Sequence, residues 1–176
     1  DGGAIFTNDD ELAHKMKSIR VHGGGTDKYE NVRLGINGRL DTIQAAILLE
    51  KIEIFDAELK LRNRAADYYT QNINELCIPP HIPDKYFSSW AQYSMVLPEG
   101  LNRYQLMEKL NKNDIPSMVY YKIPNHLQEG YRQYDNQEGD FKVTEDISKK
   151  ILSLPMHPYL DKDSQDKVLG VINDVN

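Results

Sequence analysis

Apolar positions along the chain follow two rhythms, and the change from one to the other divides the sequence. Leu12, Met16 and Ile19 recur at spacings of four and three. Asn8 and Asp9 stand before them, and either can cap a helix, so the pattern predicts a helix over residues 9–20. His22-Gly23-Gly24-Gly25 then offers the backbone freedom of a helix exit. Residues 26–37 are polar and irregular and read as loop. A longer helical rhythm succeeds it, in which Leu48, Ile52, Phe55 and Leu59 recur at four, three and four. Ile43, Ala46 and Ile47 widen that apolar face near its start. Asp41 precedes Gln44 by three residues, close to a capping box. With no Gly or Pro from Leu40 to Ile78, the pattern predicts one long helix, bent or broken before Tyr68-Tyr69.

The rhythm changes at residues 78–84, where three prolines in seven residues exclude a helix interior and mark a boundary. Beyond it, strand and helix patterns alternate. Strands are expected at 90–98 and 115–124, helices at 102–114, 142–151 and 162–175, and a short extended piece at 151–158. Residues 125–140 read as a turn-rich surface loop. Such alternation implies an α/β or α+β unit. At the other end, Asp1-Gly2-Gly3 leads into a short apolar run, which predicts a strand at 4–7. One strand is not a sheet, so this part is expected to lean on strands from elsewhere and to expose apolar surface. The chain reads as a piece of a longer polypeptide, with 1–77 ending one domain through a long helix and 78–176 forming a small α/β domain.

Composition narrows the classes. Hydrophobic residues make up 40% and charged residues 27%, an ordinary globular balance. The net charge of −6 argues against nucleic acid or an anionic membrane surface as main partner. The single cysteine, Cys77, excludes an internal disulfide and reads as a small core residue of a cytosolic protein. No apolar run has the length needed to span a bilayer.

Several strong motifs are missing: no phosphate loop of the NTPase type, no G-x-G-x-x-G after a strand, and no paired zinc-ligand spacing. His22-Gly23-Gly24-Gly25 matches the oxyanion string of some esterases, but the G-x-S-x-G elbow that chemistry needs is absent. For His22 a helix cap and flexible loop is the plainer reading. Asn37-Gly38 has the residues of a tight turn. The same geometry at a helix entrance suits phosphate, with an Asn amide as neutral donor and Arg39 as a planar fork. A surface salt bridge is the rival reading for Arg39. Tyr120 and Tyr121 close the strand expected at 115–124, which would turn one into the core and the other toward a cleft. His126 and His157 each sit beside a proline-containing turn, and lone histidines are more often structural or solvent-facing than catalytic.

Four blocks carry a wider likeness: DGGAIFTNDDELAHKMKSIRVHG, GINGRLDTIQAAILLEKI, VYYKIPNHLQ and ILSLPMHPYL. In this order they resemble the DegT/DnrJ/StrS-type sugar aminotransferases, nearly end to end, and most of all the nucleotide-sugar 3-aminotransferases. The resemblance implies pyridoxal phosphate as cofactor and an α/β, aspartate-aminotransferase-like fold (PLP transferase type I). The chain would be its C-terminal part: the end of the large domain, the long connecting helix and the small domain. The Schiff-base lysine is then expected upstream of Asp1, and the fragment alone is expected to be inactive.

By the same resemblance, Asn37 reaches the cofactor phosphate of the neighbouring subunit of a homodimer. Arg39 lies near the sugar or its carboxylate, and Tyr121 faces the substrate. Tyr120 departs from a His-Tyr pair frequent in the family, which bears on substrate choice. His126, in a P-x-H-L-Q-like string, and His22 are expected on the substrate side. The implied reaction moves an amino group, from glutamate, to a keto nucleotide-sugar in cell-surface polysaccharide or deoxysugar biosynthesis. Two rivals stand beside it: a keto-sugar dehydratase of the same fold, and a non-catalytic binding or regulatory module.

Overall fold

The structure, a computed structural model, describes residues 2–174. Asp1, in the run leading into the expected N-terminal strand, and Val175, in the expected closing helix, lie outside them. The chain divides into two compact units, residues 1–54 and 55–176.

The first unit is built around α1 (Asp10–Arg20). Asp9 caps it, its Oδ1 accepting from Leu12 N at 2.9 Å. Asp10 and Glu11 in the first turn and Lys17 and Arg20 in the last complement the helix dipole. The exit runs through Gly23, whose φ is +77° and whose N–H donates to Ser18 O at 2.8 Å. The chain beyond Gly23 is stitched rather than free. Val32 N donates to Gly23 O (2.9 Å), His22 N to Ile36 O (2.9 Å), Ile36 N to Ile19 O (2.8 Å) and Gly38 N to Arg20 O (2.8 Å). The polar loop read at 26–37 has no regular element, yet it is folded back onto the helix exit. The strand expected at 4–7 does not form: the backbone there is irregular and Phe6 is 92% exposed. A strand exists through its partner's hydrogen bonds, and among the described residues no segment pairs with this one.

Helix α2 (Thr42–Asn72) begins in the first unit and ends in the second. It runs without the break expected before Tyr68. The apolar face read at Leu48, Ile52, Phe55 and Leu59 is largely uncovered, with Ile52 66% exposed. The buried face lies further on, at Ala65, Ala66 and Tyr69.

The second unit holds a two-stranded antiparallel sheet of β1 (Tyr93–Val96) and β2 (Ile151–Leu154), with Tyr93 opposite Leu154 and Val96 opposite Ile151. Helices α3 (Arg103–Lys112), α4 (Lys142–Lys150) and α5 (Lys162–Asn173) accompany it, close to the expected spans. Tyr69, Tyr93, Met95, Leu110, Leu152 and Ile172 are among the core residues. Cys77 is buried in the same core, and burial pushes its thiol up, as a small structural cysteine should behave. Arg103, buried, donates from Nη1 to Ser148 O (2.6 Å) and Ile151 O (3.1 Å), tying the end of α4 to the start of β2.

The strand expected at 115–124 shrinks to one bridge, Met118 to Ser153. Pro116 lacks an N–H, and the chain turns at Tyr120. Residues 125–140 are not plain loop either: they contain two 3-10 segments, Asn125–Leu127 and Glu129–Tyr134.

Candidate functional site

In the first unit, Val21 and Asn37 face each other across an antiparallel bridge, which sets the arm against the end of α1. Asn37 Oδ1 accepts from Arg39 Nε at 3.0 Å. A guanidinium has donors only, so the amide oxygen is the atom turned to it. The donors that remain are the amide NH2 of Asn37 and the terminal nitrogens of Arg39. Both side chains are exposed. A neutral amide and a fork aligned to each other form a donor set that fits a phosphate or carboxylate. His22, at φ +58°, bonds through its backbone to Ile36, and its side chain is exposed. The first unit thus brings His22, Asn37 and Arg39 into one arm.

The second unit gathers the other three predicted residues around a cavity of about 450 Å3, whose lining includes Tyr120, Tyr121, Asn125, His126, Phe141 and Thr144. Because the strand ends early, neither tyrosine enters the core. Tyr121 is 69% exposed, Tyr120 is half-buried, and their rings meet edge to face at 5.5 Å. Tyr120 also walls a smaller cavity of about 260 Å3, with Ser117 and Ser153 in its lining. His157 is exposed and accepts from Tyr159 N through Nδ1 at 3.2 Å.

Glu145 is the residue the sequence did not reveal. Its Oε1 lies 3.0 Å from His126 Nε2, and both side chains are 9% exposed. Gly139 N donates to both carboxylate oxygens at 2.9 Å, and Phe141 N donates to Oε1 at 3.2 Å. Burial pushes this carboxyl up, but the hydrogen bonds from His126, Phe141 and Gly139 outweigh it and hold the carboxyl below its ordinary 4.5. A carboxyl lowered by folding stabilises the fold fully above its unfolded value, and the gain is lost as pH falls through the folded one. The difference in urea midpoint between wild type and Glu145→Gln is therefore expected to be constant above about pH 4.5 and to close below it. A gap of equal size at pH 3 and pH 7 would show that the carboxylate charge is not its source. No spacing rule links residues 126 and 145; a glutamate early in a helix reads as solvated.

Among the described residues, no group of three or more His, Cys, Asp or Glu is placed to hold a metal ion. Nor is any described helix long and apolar enough to cross a membrane.

The profile of the DegT/DnrJ/EryC1/StrS aminotransferase family matches residues 1–173. The UDP-2-acetamido-2-deoxy-3-oxo-D-glucuronate aminotransferase of Pseudomonas aeruginosa is 40% identical over 92% of this chain and 43% of its own length. A protein of Geobacillus stearothermophilus described as a pleiotropic regulatory protein is 39% identical, over 98% of this chain and 46% of its own. The crystal structure of a DegT DnrJ EryC1 StrS aminotransferase from Brucella abortus superposes with a TM-score of 0.85 at 47% identity, covering 95% of this chain and 44% of that one. The chain thus spans less than half the length of these relatives. Its mixture of long helix and small α/β unit is a part of the PLP transferase type I fold, and the chain belongs to the DegT/DnrJ/EryC1/StrS aminotransferase family.

Proposed function

We propose that this chain is the C-terminal portion of a pyridoxal-phosphate-dependent aminotransferase, which transfers an amino group from glutamate to a keto nucleotide-sugar. The complete protein works as a cytoplasmic homodimer in cell-surface polysaccharide or deoxysugar biosynthesis, and its cofactor lysine lies before Asp1. This piece alone is inactive. The observation that carries the reading is the Asn37–Arg39 pair, whose unspent donors match the anions such a reaction must hold. The likeness to the P. aeruginosa enzyme, whose name specifies a 3-oxo-glucuronate, supports an acidic sugar as substrate.

Pyridoxal phosphate, when bound, supplies the electron sink and carries the amino group between donor and acceptor. The residues of this chain do the holding. Asn37 donates its amide to the cofactor phosphate of the neighbouring subunit. Its carbonyl aims Arg39, which takes the sugar carboxylate as a bidentate fork. Tyr121, exposed on the cavity rim, offers a phenol to sugar hydroxyls and a ring for stacking. Holding both partners in register removes orientational freedom from the reaction.

The test uses the complete protein. Asn37→Ala is expected to weaken cofactor retention by about 10- to 100-fold, the worth of one hydrogen bond to a charged group. Absorbance titration of the cofactor-free protein measures this, and an unchanged affinity removes the assignment. In the same preparation Arg39→Lys is expected to raise KM for an acidic sugar nucleotide more than for a neutral one. Equal effects would remove the acid-sugar preference. A regulatory role is the second reading, favoured by the name of the Geobacillus relative. It predicts a complete protein that binds no cofactor at all.

A further inference from the structure

The lining of the 450 Å3 cavity comes from distant stretches of chain: Ile123, Pro124, Asn125 and His126 from one, Thr144 and Ile147 of α4 from another. Something must hold them at a fixed separation. We propose that Glu145 is a positioning residue, clasping the 125–141 segment onto α4 and so setting the width of the cavity. This rests on the reading of that cavity as the keto-sugar side.

Glu145 does not itself line the cavity, but two of its donors do, His126 and Phe141. The N-cap of α4, Phe141, has no side-chain oxygen to offer, so the free amides at this helix start lack an ordinary cap. Glu145 supplies the missing acceptor from inside the helix, reaching back to Phe141 N and Gly139 N. A carboxylate there also meets the positive end of the helix dipole. Its remaining capacity goes to His126, 19 positions earlier in the chain. All its partners are donors, so the proton between the two side chains belongs to His126 Nε2. His126 is thereby a strut. Its ring is also packed against that of Phe141, with centroids 4.7 Å apart. The contacts of His126 and Phe141 with Glu145, and with each other, join wall residues to α4 or to its entrance.

In the complete, cofactor-loaded protein, Glu145→Gln keeps the shape but replaces one acceptor by an NH2 that opposes the backbone donors. It is expected to raise KM for the keto-sugar nucleotide about tenfold, with the glutamate half-reaction unchanged. His126→Phe should raise the same KM, and the double variant should be no worse than either single one. Nitrogen-15 NMR of the wild-type ring should show a protonated Nε2, a signature that Glu145→Gln moves. A bare Nε2 in the wild type overturns the proposal without any variant. So does a Glu145→Gln protein that loses stability but keeps its keto-sugar KM. Thr144→Trp, at an exposed cavity position, separates the role of the clasp from the role of the cavity. If it leaves that KM unchanged, the substrate reading of the cavity fails. If it raises KM while Glu145→Gln does not, only the clasp fails.

Discussion

Gly35→Ala is expected to cost the first unit about 3 kcal/mol or more, at the upper end of what a single methyl can do. A Cβ at this position would lie 2.1 Å from Gly23 N, 2.4 Å from His22 C and 2.6 Å from Ile19 O. All three are backbone atoms, so no side chain can swing aside. The chain crosses itself there: Ile36 N bonds Ile19 O and His22 N bonds Ile36 O on either side of the contact. Separating the crossing segments by the width of a methyl breaks those bonds and releases Asn37, two residues on. The variant of the complete protein should therefore unfold at lower urea and be cut faster by protease within residues 20–40. It should also retain cofactor as poorly as Asn37→Ala. A variant with the wild-type midpoint and protease resistance would contradict the tight crossing.

Tyr93→Ala should be comparably severe in the second unit, at about 3–5 kcal/mol for deletion of a large buried ring. Tyr93 is fully buried and sits between two other aromatic rings, with centroids 5.1 Å from Tyr69 and 5.7 Å from Trp90. It is also the first residue of β1, opposite Leu154. A two-stranded sheet is marginal in water, so this one persists because its inner face packs on α2, α3 and α5. Removing the ring opens a cavity where the sheet meets α2. Tyr93→Phe is the control. It loses only the hydrogen bond between the phenol and Thr70 Oγ1 (2.9 Å), worth about 0.5–1.5 kcal/mol. Equal urea midpoints for the two variants would mean that packing of the ring is not what holds the sheet.

The elements legible in the sequence were those whose hydrogen bonds close within a few residues. Helices α1, α3, α4 and α5 lie close to where apolar spacing and capping residues put them, and α2 has the length implied by a run free of Gly and Pro. Strands were legible only where a partner exists. Residues 93–96 and 151–154 pair with each other; residues 4–7 and most of 115–124, with the same β-favouring composition, pair with nothing along their length. The apolar stripe of α2 was legible as a stripe, but not what covers it: Leu48 and Ile52 stay uncovered while Ala65 and Tyr69 are buried.

The candidate site divides along the same line. Asn37 and Arg39 are two residues apart, and their pairing is a local matter that a turn motif foreshadows. His126 and Glu145 are not, and only the folding of residues 125–141 over the start of α4 brings them to 3.0 Å. By itself the sequence determined the family, the helices and the turn that carries Asn37 and Arg39, because these rest on spacings of two to four residues and on motif order. Tertiary structure alone decided that both tyrosines stay out of the core, which face of α2 is covered, and that the buried Glu145 carboxylate meets His126. Those outcomes depend on bonds between groups whose separation in sequence carries no information about their separation in space.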